Sequence, residues 1–221
     1  MTRVALSWSG GKDSALALQA LLGDTDVEVA CLMTSVTRQY DRVSVHGVRR
    51  TLLHEQARRT GLPLVEIMLD ASCANPDYET AFLGALDDVK RLDPSVSAIA
   101  FGDLFLGDVR AYRERLLSGT GLRPMFPVWG VDTTLLARRM IDDGFAARLV
   151  CVDCTQLCAS FAGRSYDASL LADLPADVDP CGERGEFHTF VSDGPVFRSA
   201  VPYRVGRTVL RDERFAFCDL E

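Results

Sequence analysis

The amino-acid sequence predicts an α/β protein: a parallel sheet with helices on both faces, followed by a smaller α+β region. Three observations predict this. Over roughly the first 150 residues, short uniformly apolar runs alternate with amphipathic stretches, the mark of βαβ units whose strands are buried on both sides. Helix stop signals fall between them, as at Gly61 and Pro63. Beyond about residue 153 the pattern turns to polar–apolar alternation and Asp/Pro/Gly-rich turns, which suits a smaller antiparallel unit.

The elements follow in order. Arg3–Trp8 reads as the first strand, and 13–22 as a helix with Leu16, Leu18, Leu21 and Leu22 on its apolar side. Val27–Met33 is a second strand, 48–60 a helix, Leu64–Leu69 a third strand and 77–92 a helix that ends before Pro94. Residues 96–101 form a fourth strand and 108–117 a helix. A further helix spans 132–143, capped by Asp132 or Thr133, and 147–152 is a fifth apolar strand. Residues 157–174 are mixed with helical character, 187–191 alternate as an antiparallel strand, and 201–217 hold further strand-like pieces. The expected division is therefore 1–153, an α/β unit, and 154–221, a smaller α+β unit.

Composition narrows the function. Hydrophobic residues make up 48% and charged residues 25% of the 221, an ordinary globular mix. No run approaches the ~20 apolar residues of a membrane span, and Met1-Thr2-Arg3 leads straight into the first strand, so a cytoplasmic, membrane-free protein is expected. The net charge of −7 disfavours a general nucleic-acid binder. Seven cysteines, an odd count, favour free thiols or a metal over a disulfide framework. Only two of the 24 basic residues are lysines, Lys12 and Lys90.

Lys12 lies in Ser9-Gly10-Gly11-Lys12-Asp13-Ser14, between the first strand and the first helix. A doubly wound sheet places its anion site there, on a strand end and a helix N-terminus. Gly10 and Gly11 permit unusual backbone angles and close approach of phosphate, Ser9 and Ser14 offer hydroxyls, and Lys12 supplies a point charge. Asp13 either caps the helix or joins in holding Mg²⁺. The spacing is neither that of Walker A nor that of Gly-x-Gly-x-x-Gly.

Ser-Gly-Gly-x-Asp-Ser after a first strand resembles the PP-loop ATP pyrophosphatase superfamily. Within it, the chain is most similar to the diphthine–ammonia ligase family. The further matches are Leu32-Met33-Thr34, His46-Gly47, Gln56-Ala57 and Gly61-Leu62-Pro63-Leu64. Phe101-Gly102-Asp103, Phe126-Pro127-Val128-Trp129 and Gly182-Glu183-Arg184-Gly185-Glu186-Phe187-His188-Thr189 complete them. The resemblance implies a HUP-type fold in which 1–153 binds ATP and 154–221 lies on the substrate side. The activity it implies is that of an ATP- and Mg²⁺-dependent ligase that adenylates a carboxylate, releases pyrophosphate and passes the acyl group to ammonia. In that family the carboxylate is diphthine on elongation factor 2; elsewhere a small molecule would have to take its place. It further implies that Lys12, Asp13 and Asp103 serve catalysis. ATP is expected over Ser9–Ser14, with Met33, Thr34 and Gly102 nearby and metal on Asp13 and Asp103. His46, Glu183, Glu186, His188 and Thr189 are expected on the substrate side.

Alternatives stand beside several of these. Gly102-Asp103 also reads as a helix-entry turn, and His46 as a helix cap. Glu183 and Glu186 suit an amine or cationic partner, or form a charged turn paired with Arg184 or Arg198. Cys151, Cys154 and Cys158, with Cys181 further on, have metal-ligand spacing, yet Cys151 sits in an apolar strand where it packs as a small core residue. Phe126 and Trp129 read as core aromatics. A sulfur transferase using these cysteines and a non-catalytic nucleotide-binding module are the competing functions. Exposed apolar residues of the C-terminal region suggest a homodimer.

Overall fold

The computed structural model describes all residues from Met1 to Glu221. Its first sheet is assembled from β1 (Thr2–Ser7), β2 (Val27–Thr37), β4 (Leu64–Leu69), β5 (Val96–Ala100) and β6 (Arg123–Met125), with a short β3 (Arg42–Val43). Parallel pairing runs β4-β2-β1-β5-β6, and β3 pairs antiparallel with the far end of β2, beyond the end of β1. Chain order reverses between β1 and β5, so the loops after these two strands open on one crevice.

Helices α1 (Lys12–Leu22), α2 (Arg50–Thr60), α3 (Asn75–Leu92) and α4 (Gly107–Leu116) connect these strands. Alternation along β1 divides the packing. Val4 and Leu6 belong to a core shared with α1, α2 and the second sheet, whereas Ala5 joins Phe82, Leu86 and Val89 of α3 on the opposite face. Asp132 caps α5 (Thr133–Asp142) by accepting from the Leu135 amide at 2.9 Å.

The second sheet is antiparallel, in the order β8-β7-β10-β9, with β7 (Ala146–Asp153), β8 (Phe187–Asp193), β9 (Val205–Arg211) and β10 (Phe215–Leu220). Here the structure departs from the expected elements. The apolar strand over 147–152 lies in this second sheet and not in the parallel one; the fifth parallel strand is β6, whose Arg-Pro-Met sequence gives no apolar signal. A run buried on both faces looks the same in sequence whether its neighbours are parallel or antiparallel. The change between sheets therefore precedes β7, ahead of the expected division at residue 153. β2 also runs four residues beyond Met33, and 157–174 holds only a 3₁₀ turn (Ala159–Phe161) and a short α6 (Ala168–Asp173). No helix is long and apolar enough to cross a membrane.

Candidate nucleotide and acceptor site

The loop after β1 is built by removing side chains where backbone must pass. Gly10 has φ +77°, and a Cβ there would lie 2.3 Å from Gln56 Oε1. A Cβ on Gly11 would meet the Thr189 carbonyl at 2.9 Å and His46 Nε2 at 3.1 Å. On Gly102, after β5, it would collide with the Asp13 backbone at 2.8 Å, so the two crevice loops touch and only glycine fits between them. α1 begins at Lys12 with Gly11 as its N-cap and no side-chain cap, which leaves first-turn amides and the positive end of the helix dipole toward the crevice.

Two brackets hold this loop. From the parallel sheet, the Trp8 amide donates to the Met33 carbonyl at 2.7 Å, and Thr34 Oγ1 donates to the Trp8 carbonyl at 2.6 Å. Met33 and Thr34 thus lie buried in mid-strand, behind the loop. From the antiparallel sheet, the Val191 amide donates to the Gly10 carbonyl at 2.9 Å, and Thr189 Oγ1 accepts from the Lys12 amide at 3.0 Å. Gln56 joins the two. Fully buried, it donates through Nε2 to the carbonyls of Gly10 (2.9 Å) and Val191 (2.7 Å), and its Oε1 accepts from Trp8 Nε1 at 3.3 Å. Inside the loop Ser14 Oγ donates to the Gly11 carbonyl at 2.8 Å and lies 3.3 Å from Ser9 Oγ.

Lys12 is the buried cation of this arrangement, its side chain 3% exposed. Its Nζ donates to Asp13 Oδ2 at 2.7 Å and lies 5.6 Å from the centre of the Phe187 ring. Burial opposes its charge, but Asp13, Cys181 and Glu183 together hold the ammonium protonated. The other Asp13 oxygen, Oδ1, is buried with no hydrogen-bond partner, and so is Asp103 Oδ2, which faces Arg113 Nε at 3.5 Å without hydrogen-bond geometry.

The predicted acidic motif divides into two roles. Glu183 Oε1 accepts from the amides of Leu104 (2.7 Å) and Phe105 (3.4 Å), which ties it to the loop that carries Asp103. Burial pushes its carboxyl up to about 7, with Asp13 adding to the rise. Glu186 is 2% exposed; its Oε1 accepts from the Asp179 amide at 3.0 Å and its Oε2 has no partner. Neither carboxylate forms an ion pair with Arg184 or Arg198; Arg184 instead lies over the Phe105 ring at 5.5 Å. The His46 and His188 rings pack at a 38° tilt with centres 4.5 Å apart beside Gly11, and burial pushes His46 down to about 4 and holds His188 well below its usual value.

Sequence reasoning gave no site role to Trp8, Gln56 or Asp179. Gln56 was detectable as the one polar residue on the buried Leu52-Leu53-Gln56-Ala57 face of α2. Asp179 lay hidden in an Asp/Pro/Gly-rich stretch; buried, it accepts from the Cys181 amide at 2.9 Å and from Thr133 Oγ1 at 2.7 Å. Phe126 and Trp129, expected in the core, are half-buried and flank the Arg110 guanidinium at 4.8 and 4.9 Å. The cysteines are dispersed: Cys151 is buried in β7, Cys158 is exposed and Cys181 lies near Lys12. No three His, Cys, Asp or Glu side chains gather as a metal-binding group.

A sheet that reverses order at a glycine-walled, lysine-bearing loop defines a HUP-type α/β protein. Comparison with protein families makes this specific. Residues 2–124 match the diphthamide synthase N-terminal domain and 132–216 the diphthamide synthase C-terminal domain, so the chain belongs to the diphthamide synthase family. A protein of Schizosaccharomyces pombe named diphthine–ammonia ligase is 26% identical over 209 residues, 87% of this chain and 34% of that protein. One of the same name from Danio rerio is 26% identical over 235 residues, covering 94% and 89% respectively. The chain thus spans about a third of the length of the yeast relative.

Proposed function

We propose that this chain is an ATP-dependent amide-forming ligase that activates an acceptor carboxylate as its adenylate and transfers the acyl group to ammonia. The observation that carries this reading is the buried Lys12 in a glycine-walled loop at a helix N-terminus, gripped by both sheets. In this reading the triphosphate lies over Ser9–Ser14, where Lys12 and the first-turn amides of α1 offset its charge. Met33 and Thr34 support the loop from behind. Gly102 keeps the second crevice loop against the first.

The buried, unpartnered oxygens of Asp13 and Asp103 fit a hard cation, which prefers carboxylate and phosphate oxygens together. Mg²⁺ held there would neutralise phosphate charge. The acceptor carboxylate attacks the α-phosphorus, a carboxyl oxygen–phosphorus bond forms, and the bond to pyrophosphate breaks. Ammonia then displaces AMP from the acyl carbon, and the proton it sheds goes to Glu183, whose carboxyl near 7 suits a base at neutral pH. Glu186, His46, His188 and Thr189 shape the acceptor side. The relatives are named for diphthine, and a diphthine carboxylate on elongation factor 2 is the acceptor this reading favours.

The test is direct. Purified chain with ATP, Mg²⁺, ammonium and diphthine-bearing elongation factor 2 should release AMP and pyrophosphate. Lys12→Ala should lower that release by about 10²- to 10³-fold, the loss expected for one preorganised charge. Release of ADP and phosphate, or activity retained within tenfold in the variant, would overturn the reading. The dispersed cysteines give a sulfur-transferase reading no comparable support.

A further inference from the structure

A groove of about 1160 Å³ opens between the segment 37–47 and strands β9 and β10. Three features distinguish it from an idle surface hollow. First, β9 is an edge strand with one side unpaired, seven residues long and exposed through most of its length. Unpaired edges are templates for strand addition, and proteins normally blunt them. Secondly, the residues that β9 turns to the groove alternate Val205, Arg207, Val209, Arg211. Neither arginine has a carboxylate partner; of the three carboxylates that also line the groove, Asp219 and Glu221 are paired with Arg42 and Arg49, and Asp212 lies in the turn after β9.

Thirdly, the groove is continuous with the site. Phe217, Cys151 and His188 form one row across the second sheet, through the β10–β7 and β7–β8 registers. Phe217 lines the groove, and His188 packs on His46 beside Gly11. The turn Ser44–Gly47 roofs this row, with Gly47 against Phe217 and His46 against His188. Its Val45 is 68% exposed at φ +68°, a strained setting for a β-branched residue, held where the groove meets the site.

We propose that this groove docks the acceptor as a polypeptide: an extended segment with alternating acidic and apolar residues adds to the free edge of β9 and leads its carboxylate under the Ser44–Gly47 turn. The proposal rests on the ligase reading and assigns the place where its protein acceptor docks. A strand paired to β9 sets every second side chain opposite Val205, Arg207, Val209 and Arg211, so carboxylates opposite the arginines complete the ladder. The groove exceeds the ~300–1,000 Å³ of ordinary small-ligand pockets. A second copy of this chain fits poorly, because antiparallel self-pairing of β9 would gather four arginines on one face, with Asp212 only at the strand ends.

The test separates docking from chemistry. A short labelled peptide alternating glutamate and valine should bind the intact chain, with affinity falling as salt rises, while one alternating lysine and valine should not. Arg207→Glu with Arg211→Glu, both exposed, should weaken acidic-peptide binding by roughly tenfold or more. With elongation factor 2 as acceptor, the same variant should raise KM for the protein and leave kcat and KM for ATP near those of the unaltered chain. Equal binding of both peptides, binding of neither, an unaffected double variant, or a doubled mass in sedimentation would overturn the docking surface. Acidic-peptide binding without any AMP release would sink the ligase reading and leave the surface standing.

Discussion

The parallel sheet meets the Ser9–Ser14 loop with its strand ends, whereas the antiparallel sheet meets it with an edge. β1 and β5 deliver the Ser9–Ser14 and Gly102–Asp103 loops because chain order reverses between them, a placement that belongs to the fold and tolerates many loop sequences. The edge strand β8 does something more particular. Its Val191 amide and Thr189 hydroxyl hold Gly10 and Lys12 by direct hydrogen bonds, and Gln56 donates to the carbonyls of both Gly10 and Val191. One sheet supplies the position, the other the grip. The second sheet also shows both fates of an edge, since β8 is closed on the loop while β9 is open.

Cutting the fastening should have the largest effect. Gln56→Ala leaves the buried carbonyls of Gly10 and Val191 short of a donor and opens a cavity under Trp8. It should cost about 2–4 kcal/mol in chemical unfolding and loosen ATP binding at the same time. Loss of stability with ATP affinity intact would break the claim that the two sheets share the loop. Thr189→Val tests the grip by itself: the Lys12 amide loses its acceptor inside a nearly isosteric packing. A fall of about 1–2 kcal/mol is expected, with the drop in kcat/KM for ATP exceeding that seen for Ser192→Ala on the same strand.

Glu183→Gln sharpens the comparison through pH. The Glu183 carboxyl is raised in the folded protein to about 7, above its unfolded value, so the stability it confers is complete at low pH and is lost as pH rises through about 7. The glutamine variant should flatten that decline, measured as unfolding midpoint against pH. It should also remove the rise in amide formation on approaching pH 7; an unchanged profile would take the proton-accepting role from Glu183. The smallest effect is expected from Cys158→Ser, an exposed thiol away from the loop, with turnover within twofold.

What the sequence disclosed follows the same division. Helices and parallel strands up to β5 were legible because buried parallel strands are short apolar runs between periodic helices, whereas the two-residue β3 was not. The Gly-Gly-Lys turn carries the chemistry expected of an anion loop. β6 escaped because Arg123-Pro124-Met125 holds its place by pairing with Ala98–Ala100 and not by its own hydrophobicity. β7 was found as a strand but set in the wrong sheet, since pairing direction leaves no trace in a fully apolar run. Glu183 and Glu186 were legible as a pair, but their difference was not: one reaches to the amides of Leu104 and Phe105, the other to Asp179, contacts made across 79 and 7 residues of chain respectively.

The isolation of Lys12 has a practical side. Lys90, the chain's other lysine, lies at the end of α3, where its Nζ donates to the Val96 carbonyl. Isotopic enrichment of lysine alone would therefore give a spectrum of two side chains, one in the site and one on a distant helix end. The molecule carries a built-in reporter with its own internal reference: a resonance expected, on the ligase reading, to move with nucleotide or acceptor, beside one that should stay still.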